Sequence, residues 1–285
     1  VTYNRLSLLK ECISALKNQT YKINKIYIIN NNSTDGTSDY LQELIADSQF
    51  VIINLPQNIG GAGGFSEGIK RVVLDGCDWA WIMDDDTIPM NNALEELVKG
   101  TTVTKNVGYV CSRVVWTDGM IHKMNIPRFD CENKQHLPIN YYSNLADVLL
   151  IRAASFVSLL INSKAVREVG LPIKEFFIWG DDTEFTTRIY QHGYVCLYAS
   201  QSTVIHKTTE NYISQLQNAP VEALWKFQYG FRNDIFLRRM RKKNFLFFIS
   251  VINAYRRAVR HINKRPGNDK KAVSYTHLTL PTTPY

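Results

Sequence analysis

Three adjacent carboxylates, Asp84-Asp85-Asp86, follow the apolar run Trp79-Ala80-Trp81-Ile82-Met83. Such a run enters a core as a strand, and ending it in three like charges is costly unless positive charge meets them. A divalent cation is the natural partner, because hard cations take carboxylate oxygens. The alternative is a solvated acidic loop capping the next helix. A second acidic group, Asp181-Asp182-Thr183-Glu184, follows Trp179-Gly180 and opens a helical stretch. Carboxylates there gain from the helix dipole, so capping is one reading; a general base held by a cation or by hydrogen bonds is the other. His206 falls near a predicted strand end. Alone it reads as a structural histidine; paired with an Asp-x-Asp it reads as a third metal ligand. The run Gly60-Gly61-Ala62-Gly63-Gly64 would set backbone N–H groups at a helix start, where a phosphate binds. Close backbone packing is the other account of it. No Gly-Lys-Ser/Thr follows, so it is no P-loop, and its spacing is not that of a dinucleotide fingerprint.

The elements that must position these groups alternate. Apolar residues at Leu8, Leu9, Cys12, Ile13 and Leu16 predict a helix over Leu6–Lys17. A β-branched strand over Lys25–Ile29 ends in the turn and cap residues Asn30 to Thr37. Then come a helix to about Ala46, a strand over Phe50–Leu55, a helix from the glycine run to about Leu74, a strand over Asp78–Met83 and a helix over Met90–Lys99. Alternation of this kind predicts βαβ units, a mostly parallel sheet and ligands outside the carboxyl ends of the strands. The second half is less regular: a strand over Val107–Trp116, loops and short strands over Thr117–Leu145, a strand over Ala153–Asn162, a helix over Asp182–His192, and strand and turn over Tyr194–His206.

The 285 residues carry a formal charge of +7, unevenly placed. Arg238 to Lys271 holds twelve Lys or Arg and one acid, Asp269, so the remainder is net acidic and nucleic acid is not an expected partner. Cys12, Cys77, Cys111, Cys131 and Cys196 form no CxxC pair and read as reduced cytosolic thiols. The apolar run Phe245–Ile252 is too short to span a bilayer. Phe231 to Arg265 mixes aromatic and basic residues and predicts an amphipathic surface helix, suited to an anionic membrane. Packing on the domain or on another subunit, in a homo-oligomer, is its alternative. The chain opens at Val1-Thr2-Tyr3-Asn4 inside what reads as a strand, and Val273 to Tyr285 changes character abruptly and is expected to be a non-native tail.

Taken in order, Thr2-Tyr3-Asn4-Arg5, Asn31-Asn32-Ser33-Thr34-Asp35-Gly36-Thr37, Asn58 to Phe65, Asp84-Asp85-Asp86, Trp179 to Glu184 and His206 resemble family-2 inverting glycosyltransferases of the GT-A fold. The resemblance covers about Val1 to His206, and Tyr229-Gly230-Phe231-Arg232-Asn233 adds to it. It implies an α/β, Rossmann-like GT-A domain over residues 1–210, with a helical extension over 211–272. It further implies that Thr2, Asn4, Arg5, Asn30, Asn31, Asp35, Asn58, Gly60, Gly61 and Asp85 hold a nucleotide-sugar donor, and that Asp84, Asp86 and His206 hold Mn²⁺ or Mg²⁺. Asp182 would deprotonate the acceptor hydroxyl, with Asp181 and Glu184 positioning it. One departure stands out: many relatives have Asp where this chain has Asn30.

The glycine run, the triple Asp and the Trp-x-Asp-Asp order are most similar to galactofuranosyltransferases, which use UDP-galactofuranose. Rhamnosyltransferases using dTDP-rhamnose share overlapping motifs. The expected acceptor is a glycan or polyprenyl-linked glycan in surface polysaccharide synthesis, and the expected place the cytoplasm, at the inner face of the cytoplasmic membrane. Two other classes are set beside this one: a non-catalytic nucleotide-sugar or glycan-binding relative, and a nucleotidyltransferase. The candidate base argues against the first. The lack of a basic residue beside the glycine run argues against the second.

Overall fold

The alternating runs of the first hundred residues form, in the computed structural model, four helices and four strands. These are α1 (Leu6–Lys17), β1 (Ile26–Asn30), α2 (Thr37–Leu44), β2 (Phe50–Asn54), α3 (Gly60–Leu74), β3 (Trp79–Ile82), β4 (Thr87–Pro89) and α4 (Ala93–Thr101). There follow β5 (Val107–Val115), β6 (Arg128–Phe129), β7 (Val148–Ala153), β8 (Leu159–Asn162), α5 (Ser163–Val169), α6 (Asp181–Gln191), β9 (Val195–His206), α7 (Leu224–Arg241) and α8 (Asn244–Asn263). The structure describes residues 1–130, 147–211, 216, 219, 223–241 and 244–264. The expected tail over Val273–Tyr285, Cys131 and much of the Thr117–Leu145 region lie outside the described residues. Two compact units result: Val1–Glu175 with Asp181–Tyr212, and Phe176–Gly180 with the described residues from Ile213 onward.

In the first unit β1 and β2 pair in parallel. The larger sheet has the order β3-β8-β5-β9-β7-β6, with β4 on β9. This is the expected α/β domain with helices flanking a central sheet, but the sheet is mixed and not mostly parallel. β3 and β5 run in the same direction, yet β8 threads between them and pairs antiparallel with both. β7 likewise runs antiparallel to β9. Only β5 and β9 keep a parallel pairing within this sheet. The strand expected over Ala153–Asn162 is also divided: β7 ends at Ala153, and β8 begins after a turn in which Ser158 takes a left-handed φ of 65°.

The edges of β1 and β3 do not hydrogen-bond to one another. Val1 and Thr2 bridge them at one end: Thr2 N–H donates to Ile29 C=O, Asn31 N–H to Thr2 C=O, and the Val1 amino group to Met83 C=O. Beyond that bridge lies a cavity of about 650 Å³ walled by residues such as Ile26, Ile28, Phe65, Ile69 and Ala80.

What fixes α6, and with it the second acidic group, is its packing against β5. Phe185 and Ile189, four residues apart on one helix face, are fully buried among Tyr109, Ile151 and Tyr194. Burying side chains of that size contributes about 1.5–3 kcal/mol each. Gly108 allows the approach: a Cβ there would lie 2.5 Å from Ile189 Cγ2 and 2.7 Å from Tyr194 Cβ. Gly108→Ala is therefore expected to destabilise the protein by about 1–3 kcal/mol, the range of core overpacking. Denaturant unfolding checks this, and an unchanged midpoint would show that the helix–sheet contact yields freely.

The second unit is built around α7. Trp179 packs edge-on against Phe227 at 4.7 Å, and Phe177 stacks on Tyr229 at 4.8 Å. Phe177 and Trp179 both hold positive φ, at 63° and 66°, a costly conformation for bulky residues. Buried Asn233 secures them by donating from Nδ2 to the carbonyls of Phe176, Ile178 and Trp179. Phe176–Gly180 thus packs with the C-terminal helices, although residue order alone placed it within the 1–210 domain.

Candidate active site

The short strand β4, immediately after the acidic triplet, brings Asp84, Asp86 and His206 together as a group that could hold a metal ion. It pairs antiparallel with the end of β9 in the register Thr87↔His206, and Lys207 N–H donates to Asp86 C=O. That register carries His206 across more than a hundred residues of sequence to the side of Asp86. β9 reaches this point through an irregularity against β5 at Ser112/Arg113. There the buried hydroxyls of Ser112, Ser158 and Ser202 hydrogen-bond in a chain, and Trp81 Nε1 donates to Ser158.

Asp84, Asp86 and His206 present ligand atoms that all lie within 4.8 Å of one another. Burial and the neighbouring Asp86 push the Asp84 carboxyl up to about 6. Asp86 is buried too, which alone would raise it, but His206 and Arg5 hold its carboxyl below the ordinary range. Asp85 turns away: it accepts from Thr2 Oγ1 at 2.8 Å and pairs with Arg5 at 3.4 Å. Arg5 also binds the second oxygen of Asp86. Thr2 and Arg5, expected on the donor, therefore hold the carboxylates in this structure.

The test of whether these residues suit a cation is the tautomer of His206. Asn125 Nδ2 donates to Ser155 Oγ at 2.9 Å, which turns Asn125 Oδ1 toward His206 Nδ1 at 2.8 Å. An amide oxygen only accepts, so with this placement Nδ1 carries the hydrogen and Nε2 is the nitrogen left for a cation. Nε2 stands 3.2 Å from the buried Asp86 Oδ1, on the side where Asp84 also presents an oxygen. Two carboxylates and one imidazole form a donor set that fits a divalent cation such as Mn²⁺. His122 closes the far side, its ring 4.5 Å from that of His206. Burial, with His206 nearby, lowers its pKa to about 4, so it packs there as a neutral ring. Asn125 and His122 come from the stretch that reads in sequence as loop, and nothing in their spacing marks them.

The second acidic group joins the cluster in part. Burial, then Asp182 and Asp84, push the Asp181 carboxyl well above the ordinary range. Asp182 is half-buried and also raised by burial, against the pull of Thr183 and of Arg128. Glu184 departs from expectation. It faces inward at helical spacing from Arg188 and forms a two-pronged pair with it at 2.8 and 2.7 Å, while Arg188 also holds the carbonyls of Val169 and Leu171. Both of its oxygens are engaged by Arg188, so it anchors α6.

The turn residues expected on the nucleotide mostly hold the chain. Asn30 is 1% exposed and donates both amide hydrogens, to Ser38 and Asn54. Asn31 is also buried, accepting from Ile59 N–H and donating to Gly60 C=O, and Asn58 accepts from Gly60 N–H. Asp35 caps two helices, accepting from Leu6 N–H and from Thr37. Asn4, exposed and left-handed at φ 52°, accepts from Thr34 N–H. The glycine run divides. A Cβ on Gly63 or Gly64 would strike Ile59 or Val1, as close packing requires, whereas Gly61 has open space around it at the helix start.

Two variants separate these roles. Asn125→Leu frees the His206 tautomer and is expected to weaken Mn²⁺ binding about 10–100-fold, while Asn125→Asp, which still accepts from Nδ1, keeps most of it. Titration of free Mn²⁺ by electron paramagnetic resonance reads this, and equal losses in both would refute the tautomer lock. Glu184→Ala leaves the half-buried Arg188 with only the Val169 and Leu171 carbonyls and is expected to cost about 1–3 kcal/mol of stability with Mn²⁺ affinity unchanged, which denaturant unfolding and the same titration check.

Residues 1–170 match the family described as glycosyl transferase family 2. The chain is similar to galactofuranosyltransferase GlfT1 of Mycolicibacterium smegmatis, 26% identical over 211 residues, which are 70% of this chain and 68% of that protein. It spans 64% to 68% of the length of the GlfT1 proteins it matches. Its fold is similar to that of the mannosyltransferase PcManGT of Pyrobaculum calidifontis, solved with GDP-Man and Mn²⁺, at a TM-score of 0.56 and 15% identity over 98% of this chain and 74% of that one. It is also similar to GalNAc-T7, solved with UDP, GalNAc and Mn²⁺, at a TM-score of 0.58 and 15% identity over 95% of this chain and 55% of that one.

Proposed function

This chain belongs to glycosyl transferase family 2 and is a glycosyltransferase, and we propose that it is a metal-dependent inverting enzyme that transfers galactofuranose from UDP-galactofuranose to a glycan or polyprenyl-linked glycan. The observation that carries the metal-dependent reading is the convergence of Asp84, Asp86 and His206, whose ligand atoms all lie within 4.8 Å of one another. The donor choice is supported by the similarity to GlfT1 galactofuranosyltransferases.

Asp84, Asp86 and His206 would hold Mn²⁺, which when bound offsets the charge of a nucleoside diphosphate leaving group. Asp182 accepts the proton of the acceptor hydroxyl. The acceptor oxygen bonds to the anomeric carbon as the bond from that carbon to the diphosphate oxygen breaks, so configuration inverts and UDP leaves with the electron pair. Burial and the neighbouring Asp182 hold the Asp181 carboxyl raised and neutral, so the negative charge of the pair rests on Asp182. Arg128 pulls the other way and limits how far the base is raised. Thr2 and Arg5 keep Asp85 and Asp86 in place.

Release of UDP from a panel of nucleotide sugars, with Mn²⁺ and with chelator, tests the proposal. Metal-dependent release from UDP-galactofuranose is expected; release from dTDP-rhamnose alone would overturn the donor, and metal-independent release the metal role. Asp182→Asn is expected to lose transfer by about 10²–10⁴-fold while UDP still binds. Because the raised Asp182 works deprotonated, transfer should rise with pH through an apparent pKa above the ordinary carboxylate value of about 3.9. An acid limb at or below that value would exclude Asp182 as the base.

A further inference from the structure

The basic and apolar residues of the C-terminal segment separate onto adjacent stripes of α8. Phe245, Phe248, Ile249, Ile252 and Tyr255 recur at helical spacing on one stripe, and Phe245 and Phe248 are 74% and 62% exposed. Asn253, Arg256, Arg257 and Arg260 recur at the same spacing on the next stripe. The second stripe faces α7 across a cavity of about 390 Å³ lined by Arg238, Ser250, Asn253, Arg256, Arg257 and Arg260. Asp234 pairs with Arg238 at 2.7 Å. α8 itself carries no acid, and among the described residues no carboxylate pairs with Arg256, Arg257 or Arg260. Converging guanidinium groups repel one another, and they form the fork geometry that grips phosphate oxygens. A phosphate alone would not account for exposed phenylalanines beside them. Among the described residues no helix is long and apolar enough to cross a membrane.

We propose that α8 lies flat on an anionic membrane. Its Phe245–Tyr255 stripe enters the headgroup layer, and the arginine-lined cavity takes a lipid headgroup phosphate. Charge complementarity selects this occupant: a second copy would bring its own arginines against these. The proposal concerns the C-terminal unit and stands apart from the sugar-transfer reading, so either can fail without the other.

The test is co-sedimentation of the whole chain with phosphatidylglycerol-rich vesicles and with pure phosphatidylcholine vesicles. Binding is expected on the former and weak on the latter. The triple variant Arg256→Ala, Arg257→Ala, Arg260→Ala should lower the partition coefficient roughly a hundredfold, each cation near an anionic surface being worth about a factor of five. The matching Arg→Lys triple variant keeps the charge but not the fork and should bind between the parent and the alanine variant, which separates lost charge from lost folding. Phe248→Ser with Ile252→Ser should weaken binding without changing its lipid preference. Equal binding to both vesicles would overturn the proposal, as would undiminished binding by the alanine variant. Absence of vesicle binding would overturn it too. Together with inorganic pyrophosphate binding it would assign the arginines to a free phosphate; with a dimer that Phe248→Ser dissociates, it would assign the apolar stripe to a second copy.

Discussion

Negative charge gathered at the end of a buried strand is the constraint around which the N-terminal unit is arranged. Asp84, Asp85 and Asp86 follow β3 where the core ends, and each is compensated differently. Thr2 and Arg5 take Asp85, Arg5 and His206 flank Asp86, and Asp84 keeps a raised pKa near 6. The compensation is incomplete, since Asp84 stays raised by burial and by Asp86 while Asp86 Oδ1 has only His206 Nε2 beside it, at 3.2 Å. A buried polar network that is left partly unsatisfied is costly. A bound cation would convert that cost into affinity, and the same charge would meet a diphosphate.

Long-range pairing does the positioning. The Thr87↔His206 register sets His206 beside Asp86, and the Phe185–Ile189 face packed over Gly108 sets Asp181 and Asp182. Both depend on β-sheet contacts distant in sequence, so the site and the fold are stabilised by the same core. The proton on His206 Nδ1 adds a finer control. It is fixed by Asn125, itself held by Ser155, from a segment stitched to the strand end by Trp116 and His122 through Thr208.

The sequence makes some of this plain and hides the rest for physical reasons. The acidic strand end, α1, α3 and α6 are visible because local spacing and composition decide them. Sheet order is invisible because β8 inserts between β3 and β5 through contacts that leave no periodic trace. Residue type misleads where a polar side chain has two uses. Asn30 and Asp35 read as ligand contacts, yet their hydrogen bonds go to turns and caps. Glu184 reads as part of the acidic group, but its spacing to Arg188 turns it inward. Asn125 is the converse, a common loop residue whose importance comes only from the atom it faces.

The central claim is that this pocket was shaped by a cation, and crystallography with anomalous scattering tests it most directly. Crystals soaked in Mn²⁺ with UDP and measured at the manganese edge should show one strong peak in contact with Asp84, Asp86 and His206. A peak confined to Asp181 and Asp182, or no peak in crystals where UDP is bound, would contradict the account.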